Sequence, residues 1–226
     1  NLIERTSEGF QSIGGGELIL PGEVILEPGE SYRPPRVVAV YSAEGLDGVS
    51  AAFHRHIRAR TQHPRRPRPL TLNMWEAIYF EQSFEKIKEL VDVAAEIGIE
   101  RVVLDDGWFT GRRNDTAGLG DWDVDASVWP DGLEPIISHV RSLEMDFGLW
   151  FEPEMVSPNS KLFKNNPDWI LGKKNQTLGR NQLVLDLNIK EVQSYLFEKI
   201  SKILFENKIS YIKWDHNRVL PFPDHN

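Results

Sequence analysis

The 226-residue chain contains no cysteine. Disulfides and thiolate zinc sites are thereby excluded, and a reducing, cytoplasmic setting is the default expectation. No apolar run of membrane-spanning length, about 18 residues, occurs, and no basic-then-apolar leader opens the chain. Asn1 starts in mid-pattern, so the sequence reads as a piece of a longer protein. Positive charge is also in short supply: 26 Lys and Arg stand against 34 Asp and Glu. The deficit lies beyond residue 68, where 17 basic residues face 26 acidic ones. A nucleic-acid binder needs a basic face, so this part is not a candidate for one. The Arg-rich stretch 54–68, HRHIRARTQHPRRPR, reads as a solvated helix end followed by a stiff linker. There is no G-x-G-x-x-G turn and no sequence repeat.

What is present changes texture along the chain. Residues 17–41, ELILPGEVILEPGESYRPPRVVAVY, alternate short apolar runs with Pro-Gly and Pro-Pro punctuation, which predicts antiparallel strands joined by turns. About forty residues of strand cannot bury both faces of a sandwich, so residues 1–43 are expected to be the end of a larger β-sandwich domain. Leu46, Val49, Phe53 and Ile57 have helical spacing, and prolines 64, 67 and 69 mark a boundary. Residues 44–69 are therefore expected to be a connecting helix and linker, and residues 70–226 a separate domain.

From residue 70 strand and helix patterns alternate. Strands are expected at 70–75, 101–105, 147–152, 183–187 and 210–215, with helices at 83–98, 133–143 and 190–207 and a short helical piece near 160–165. The strand runs are continuously apolar, as in a parallel sheet covered by helices. Their C-terminal ends carry acids: Glu76, Asp105 with Asp106, Glu152 with Glu154, Asp186 and Asp215. In a (β/α)8 TIM barrel all such ends converge on one mouth, whereas an open sheet uses only those at its switch point. The pattern therefore favours the first five strands of a barrel.

The chemistry at that mouth has two readings. Lys213 and Asp215 share one face of their strand, where a lysine would favour an ionised Asp215 suited to nucleophilic attack; the same residues could equally be a structural ion pair. The adjacent Asp105 and Asp106 need hydroxyls, cations or a metal beside them. In a sugar pocket, aspartates accept hydrogen bonds from hydroxyls and tryptophans stack on the ring; in an enolase-type site Asp105, Glu152 and Asp215 would hold Mg²⁺. All seven tryptophans lie beyond residue 69, and Trp75, Trp108, Trp150 and Trp214 fall at or beside strand ends, which favours the sugar. Trp169, after Pro167, is the first candidate for an ordinary core tryptophan. His216 is expected to point away from the face of Asp215.

The motifs LNMWEA, VVLDDGWF, LGDW, GLWFEPEMVSP, RNQLVLDL and IKWDHNR, in this order over about residues 70–220, resemble the α-galactosidases of glycoside hydrolase family 36 (melibiase-like). The resemblance implies a (β/α)8 catalytic barrel after a β-sandwich, no metal and no organic cofactor. It implies hydrolysis of terminal α-D-galactosyl groups from oligosaccharides of the melibiose and raffinose type by a retaining double displacement. Carried over by position, Asp215 is the nucleophile, Asp105 and Asp106 bind galactose hydroxyls and Trp150 lines the pocket. Arg180 reaches the substrate from its loop, and Lys213 and Asn217 flank the nucleophile. Glu152 and Glu154 are left as supporting acids. The family's acid/base aspartate follows a later strand than any here, and His216 stands where relatives often carry Met. The alternatives are a raffinose-synthase-like galactosyltransferase, an α-N-acetylgalactosaminidase, or a galactose-binding fragment without catalysis. The partner is an α-galactoside oligosaccharide, neither nucleic acid nor membrane, and the complete protein could assemble as a homo-oligomer.

Overall fold

A computed structural model describes residues 2–19 and 24–219. The chain divides into two compact units, Asn1–Pro67 and Arg68–Asn226.

In the first unit, β1 (Leu2–Arg5) and β2 (Gln11–Gly14) form an antiparallel hairpin in which Ile3 faces Ile13. Of the strands expected at 17–41, none is present in residues 17–19 and 24–41, and positions 20–23 lie outside the described residues. The Pro28–Gly29 turn is present, with Glu30 N donating to Glu27 O at 2.9 Å and Gly29 at φ +91°. Its flanks find no partner edge among the described residues, and Pro34 and Pro35 have no N–H to give to one. Helix α1 (Gly45–Arg58) takes the expected place.

The second unit runs β3 (Thr71–Asn73), α2 (Trp75–Ile78), α3 (Phe84–Glu96), β4 (Arg101–Leu104), α4 (Glu134–Ser142), β5 (Asp146–Phe151), β6 (Met155–Val156), α5 (Lys161–Asn165), β7 (Leu183–Val184), α6 (Lys190–Glu206) and β8 (Tyr211–Trp214). Helix α3 shows why the pattern was readable. Ser83 caps it by accepting from Lys86 N, and Ile87, Val91 and Ala94 recur on its buried stripe. Gly98, at φ +85°, supplies the left-handed residue that ends it. Helix α4 buries Ile136, Ile137 and Val140, and α6 buries Val192, Leu196, Ile200 and Ile203. Each such side chain contributes about 1.5–3 kcal/mol by leaving water.

Strands β3, β4, β5 and β8 form one parallel sheet in that order, with Val103 beside Gly148 and Trp150 beside Lys213. Every residue from Phe147 to Phe151 is buried, the pattern of a strand covered on both faces. The sheet thus holds four of the five expected strands. The LVLDL segment is the exception: β7 pairs antiparallel with β6, Leu183 against Val156, and Leu185 bridges to Ile170. It belongs to the excursion between β5 and α6, where the edge it can reach is β6. Its acid, Asp186, accepts from Asn188 N in the turn leading into α6. Asp215 therefore follows the fourth parallel strand of the sheet, one fewer than the sequence pattern counted.

Behind the end of β5, Trp108, Phe109, Trp122, Trp150 and Phe151 pack ring on ring, with centroids 4.6 to 6.3 Å apart. The expectation that strand-end tryptophans wall a pocket is corrected here for Trp108. It is fully buried and donates its indole N–H to Trp150 O at 2.9 Å, which satisfies the one polar atom of an otherwise apolar ring. Trp169 is half-buried against Tyr195.

Candidate active site

Because the four strands are parallel, their C-terminal ends bring Asn73, Asp105, Glu152 and Asp215 to one end of the sheet. Lys213 joins them through alternation, since it shares a level and a face with Trp150. Asp105 is buried and accepts three hydrogen bonds. Its Oδ2 accepts from Asn73 Nδ2 at 2.5 Å and from Lys213 Nζ at 2.8 Å, and its Oδ1 accepts from Asp106 N at 2.8 Å. Lys213 Nζ lies 3.9 Å from Asp215 Oδ2, so the ammonium sits between two carboxylates but closer to Asp105.

Asp215 is the more open of the two carboxylates. Its backbone continues the ladder by donating to Phe151 O at 2.8 Å. Its Oδ2 accepts from Trp150 Nε1 at 2.9 Å and its Oδ1 from His216 N at 3.0 Å. Partial burial pushes its pKa up. The hydrogen bonds from Trp150, the Asn217 side chain and His216 N, together with the Lys213 charge, outweigh that and leave it below the ordinary carboxylate value. The site therefore keeps Asp215 ionised. Trp150 is 2% exposed, so what it offers the mouth is its N–H.

The structure separates the two adjacent aspartates. Asp106 turns to Arg112, whose Nε and Nη2 grip its two oxygens at 2.9 and 2.8 Å. Burial raises the Asp106 pKa, with the Arg112 contacts opposing. Gln82 fixes the dipeptide by donating to the carbonyls of Asp106 and Asp105 at 2.8 and 3.2 Å. Arg180 is exposed at the tip of a tight turn in which Gln182 N donates to Gly179 O at 2.9 Å. Its Nη1 reaches Asn217 O at 3.4 Å. Asn217 N in turn donates to Glu152 Oε1 at 2.6 Å. The seven sequence-derived residues thus comprise a tight group (Asp105, Lys213, Asp215, Trp150), a flanking pair (Asn217, Arg180) and Asp106, which is spent on an arginine.

The metal-binding alternative has a poor donor set. Asp105 is already shared between a lysine and an asparagine, and Glu152 accepts from Asn217 N and Gln182 Nε2. His216 turns to Glu154, its Nδ1 lying 3.4 Å from Oε2, while Trp214 Nε1 donates to Oε1 at 3.2 Å. Glu76, expected at a strand end, instead lies in α2, exposed and accepting from Tyr79 OH.

A sequence model of the Melibiase family matches residues 31–224. The chain belongs to the melibiase family. It is 43% identical to the "Alpha-galactosidase" of Escherichia coli over 96% of its own length and 31% of that protein. To "Alpha-galactosidase AgaA" of Geobacillus stearothermophilus it is 49% identical over 86% of the chain and 27% of the relative. The chain thus spans about three-tenths of the length of these relatives. A crystal structure of an AgaA variant with 1-deoxygalactonojirimycin superposes with a TM-score of 0.84 at 46% identity, covering 88% of this chain and 29% of that one. The parallel sheet is then part of the family's TIM barrel, and its acidic end faces the barrel mouth.

Asn73, Gln82, Arg112 and Gln182 were not among the sequence-derived site residues. Asn73 ends a barrel strand within LNMWEA and could have been found by the rule that singled out Asp105. The other three come from loops, where spacing carries no comparable signal.

Proposed function

We propose that the protein carrying this segment is a retaining α-galactosidase whose nucleophile is Asp215. The observation that carries this reading is the placement of the Asp215 carboxylate, held at a strand end by an indole N–H, a backbone N–H and a nearby ammonium. The relatives support the substrate class: AgaA variants have been solved with raffinose and with stachyose. An oxygen of Asp215 attacks the anomeric carbon while the glycosidic C–O bond breaks, giving a β-linked galactosyl ester. Water then attacks that carbon, returning the carboxylate and releasing α-galactose. Retention requires a second carboxyl about 5–5.5 Å away to give and then take a proton. We place that group in the length of the relatives that this chain does not span. The acceptor position left on Asp105 Oδ1 would take a hydrogen bond from a galactose hydroxyl and the Lys213 ammonium would donate one to a hydroxyl oxygen, with Arg180 and Asn217 closing one side.

The deciding experiment uses the intact protein and proton NMR. Cleavage of p-nitrophenyl α-galactoside should release the α-anomer first, with little turnover of the 2-acetamido analogue. With raffinose as donor and sucrose as acceptor, free galactose should dominate over transfer. Release of the β-anomer, or no turnover of any α-galactoside, would overturn the reading.

Trp150→Phe tests the electrostatics. The ring remains available to stack on Phe109, parallel to within 6°, but the N–H to Asp215 is lost. That bond favours the ionised form, so its removal raises the Asp215 pKa. Activity that needs ionised Asp215 should then fail at higher pH: the acid limb of kcat/KM moves up. An unmoved limb would show that the indole does not control this carboxylate.

A further inference from the structure

Glu152 is the most buried acid at the strand ends, 1% exposed, and the proposed chemistry gives it no task. Its surroundings do. Oε1 accepts from Asn217 N at 2.6 Å, and Oε2 accepts from Gln182 Nε2 at 3.3 Å. The first donor lies two residues after Asp215, and the second lies two residues after Arg180. The same two segments also meet directly. Arg218 Nη1 donates to Gln182 O, and Arg180 Nη1 donates to Asn217 O at 3.4 Å. A Cβ on Gly179 would approach the Arg218 guanidinium to 3.1 Å, so this turn lies against the arginine.

The turn itself is strained. Arg180 and Asn181 are both left-handed, at φ +50° and +61°. That is the type I′ geometry, which favours Asn-Gly over a long side chain at its first central position. A non-glycine residue persists there only where surrounding structure over-determines it. The contacts from Gln182 to Glu152 and to Arg218 are that surrounding structure.

We infer that Glu152 is a positioning residue that fixes two substrate-facing loops at once, the one following Asp215 and the turn presenting Arg180. It does so from the end of β5, the most completely buried strand of the sheet, so both loops are referred to one rigid element. Burial raises its pKa, and the Asp215 and Asp106 charges add to this against the Asn217 N–H and Arg180. The role does not need the charge. A neutral amide at 152 can accept from Asn217 N, and once the Gln182 amide turns over by 180°, the new NH2 can donate to Gln182 Oε1, which is buried without a hydrogen-bond partner.

The catalytic part of this inference rests on the galactosidase reading, while the structural part can be tested without it. In the intact protein, Glu152→Ala should speed amide hydrogen exchange in residues 179–183 and 215–218 together, leaving β4 protected. Glu152→Gln should keep both segments slow. With p-nitrophenyl α-galactoside, the alanine variant should lose about 100-fold in kcat/KM, the scale of an ångström of misplacement, through both kcat and KM. The glutamine variant should stay within about five-fold of wild type. Unchanged exchange in Glu152→Ala would overturn the inference. So would a glutamine variant with slow exchange and no activity, since Glu152 would then act on substrate itself. If the wild-type protein cleaves no α-galactoside, the functional reading fails and the exchange result still decides the positioning role.

Discussion

Asp215→Ala in the intact protein should lower kcat for p-nitrophenyl α-galactoside on the order of 10⁴-fold or more, with little change in folding. The size follows from the step removed, because without Asp215 no covalent intermediate forms. Folding is spared because Asp215 is partly exposed, and water can replace its carboxylate beside the donors it leaves, Trp150 Nε1 and His216 N. The second half of the result is rescue. Azide can occupy the vacated volume, already carries its electron pair, and needs no base. It forms a C1–N bond as the C1–O bond to nitrophenolate breaks, and that phenolate leaves without a donated proton. Inversion at an α-galactoside gives β-galactosyl azide. An alanine variant with more than a few per cent of wild-type activity would remove Asp215 from the nucleophile's role. Rescue yielding the α-azide would do the same.

Much of the barrel segment was legible because its signals are local. Helix α3 announces itself through Ser83, its Ile87–Val91–Ala94 stripe and Gly98, all within sixteen residues. Strands β4 and β5 are apolar runs with nowhere to go but a covered sheet. LVLDL is also such a run, yet composition cannot say which edge it will meet, and its partner proved to be β6. Asp186 was consequently counted among the mouth acids when its side chain serves a turn. The same limit applies at 17–41: the Pro28–Gly29 turn is local and forms, whereas pairing of its flanks depends on edges elsewhere.

In the site, strand alternation alone places Lys213 and Asp215 on one face, and the parallel ends bring Asp105 beside them. What alternation did not say is that the ammonium sits closer to Asp105, across the sheet, than to Asp215 on its own strand. Asp105 and Asp106 looked equivalent as neighbours. They differ because Arg112, six residues on, turns back through a loop to claim only the second. The work done by Glu152 was hidden for the same reason, since both its partners lie on loops whose fold no periodicity encodes.

That position of Lys213 gives the other large prediction. Lys213→Met keeps most of the apolar stem and deletes the charge, leaving Asp105 and Asp215 facing each other without a cation. Two separable losses should follow. Asp105 is buried and keeps only Asn73 Nδ2 and Asp106 N as donors, so the unfolding midpoint should fall. Breaking a fully buried pair costs about 3–5 kcal/mol. The Lys213 side chain retains 36% exposure, so about 1–3 kcal/mol is the expected scale after solvent screening. Activity should fall on the order of 10²–10³-fold, the usual effect of removing one aimed donor from a reacting centre. The acid limb of kcat/KM should move to higher pH, because the Lys213 charge is among the groups that lower the Asp215 pKa. Adding Asp105→Asn separates the two losses. Neutralising the orphaned carboxylate should restore the midpoint of Lys213→Met while leaving activity low, since the ammonium beside Asp215 is still missing. The coupling in stability should then be large and the recovery in rate small. If the double variant were no more stable than Lys213→Met alone, the 2.8 Å pair would not be what anchors this lysine. If it regained activity instead, Lys213 would serve Asp105 alone, and its 3.9 Å approach to Asp215 would be incidental to the reaction.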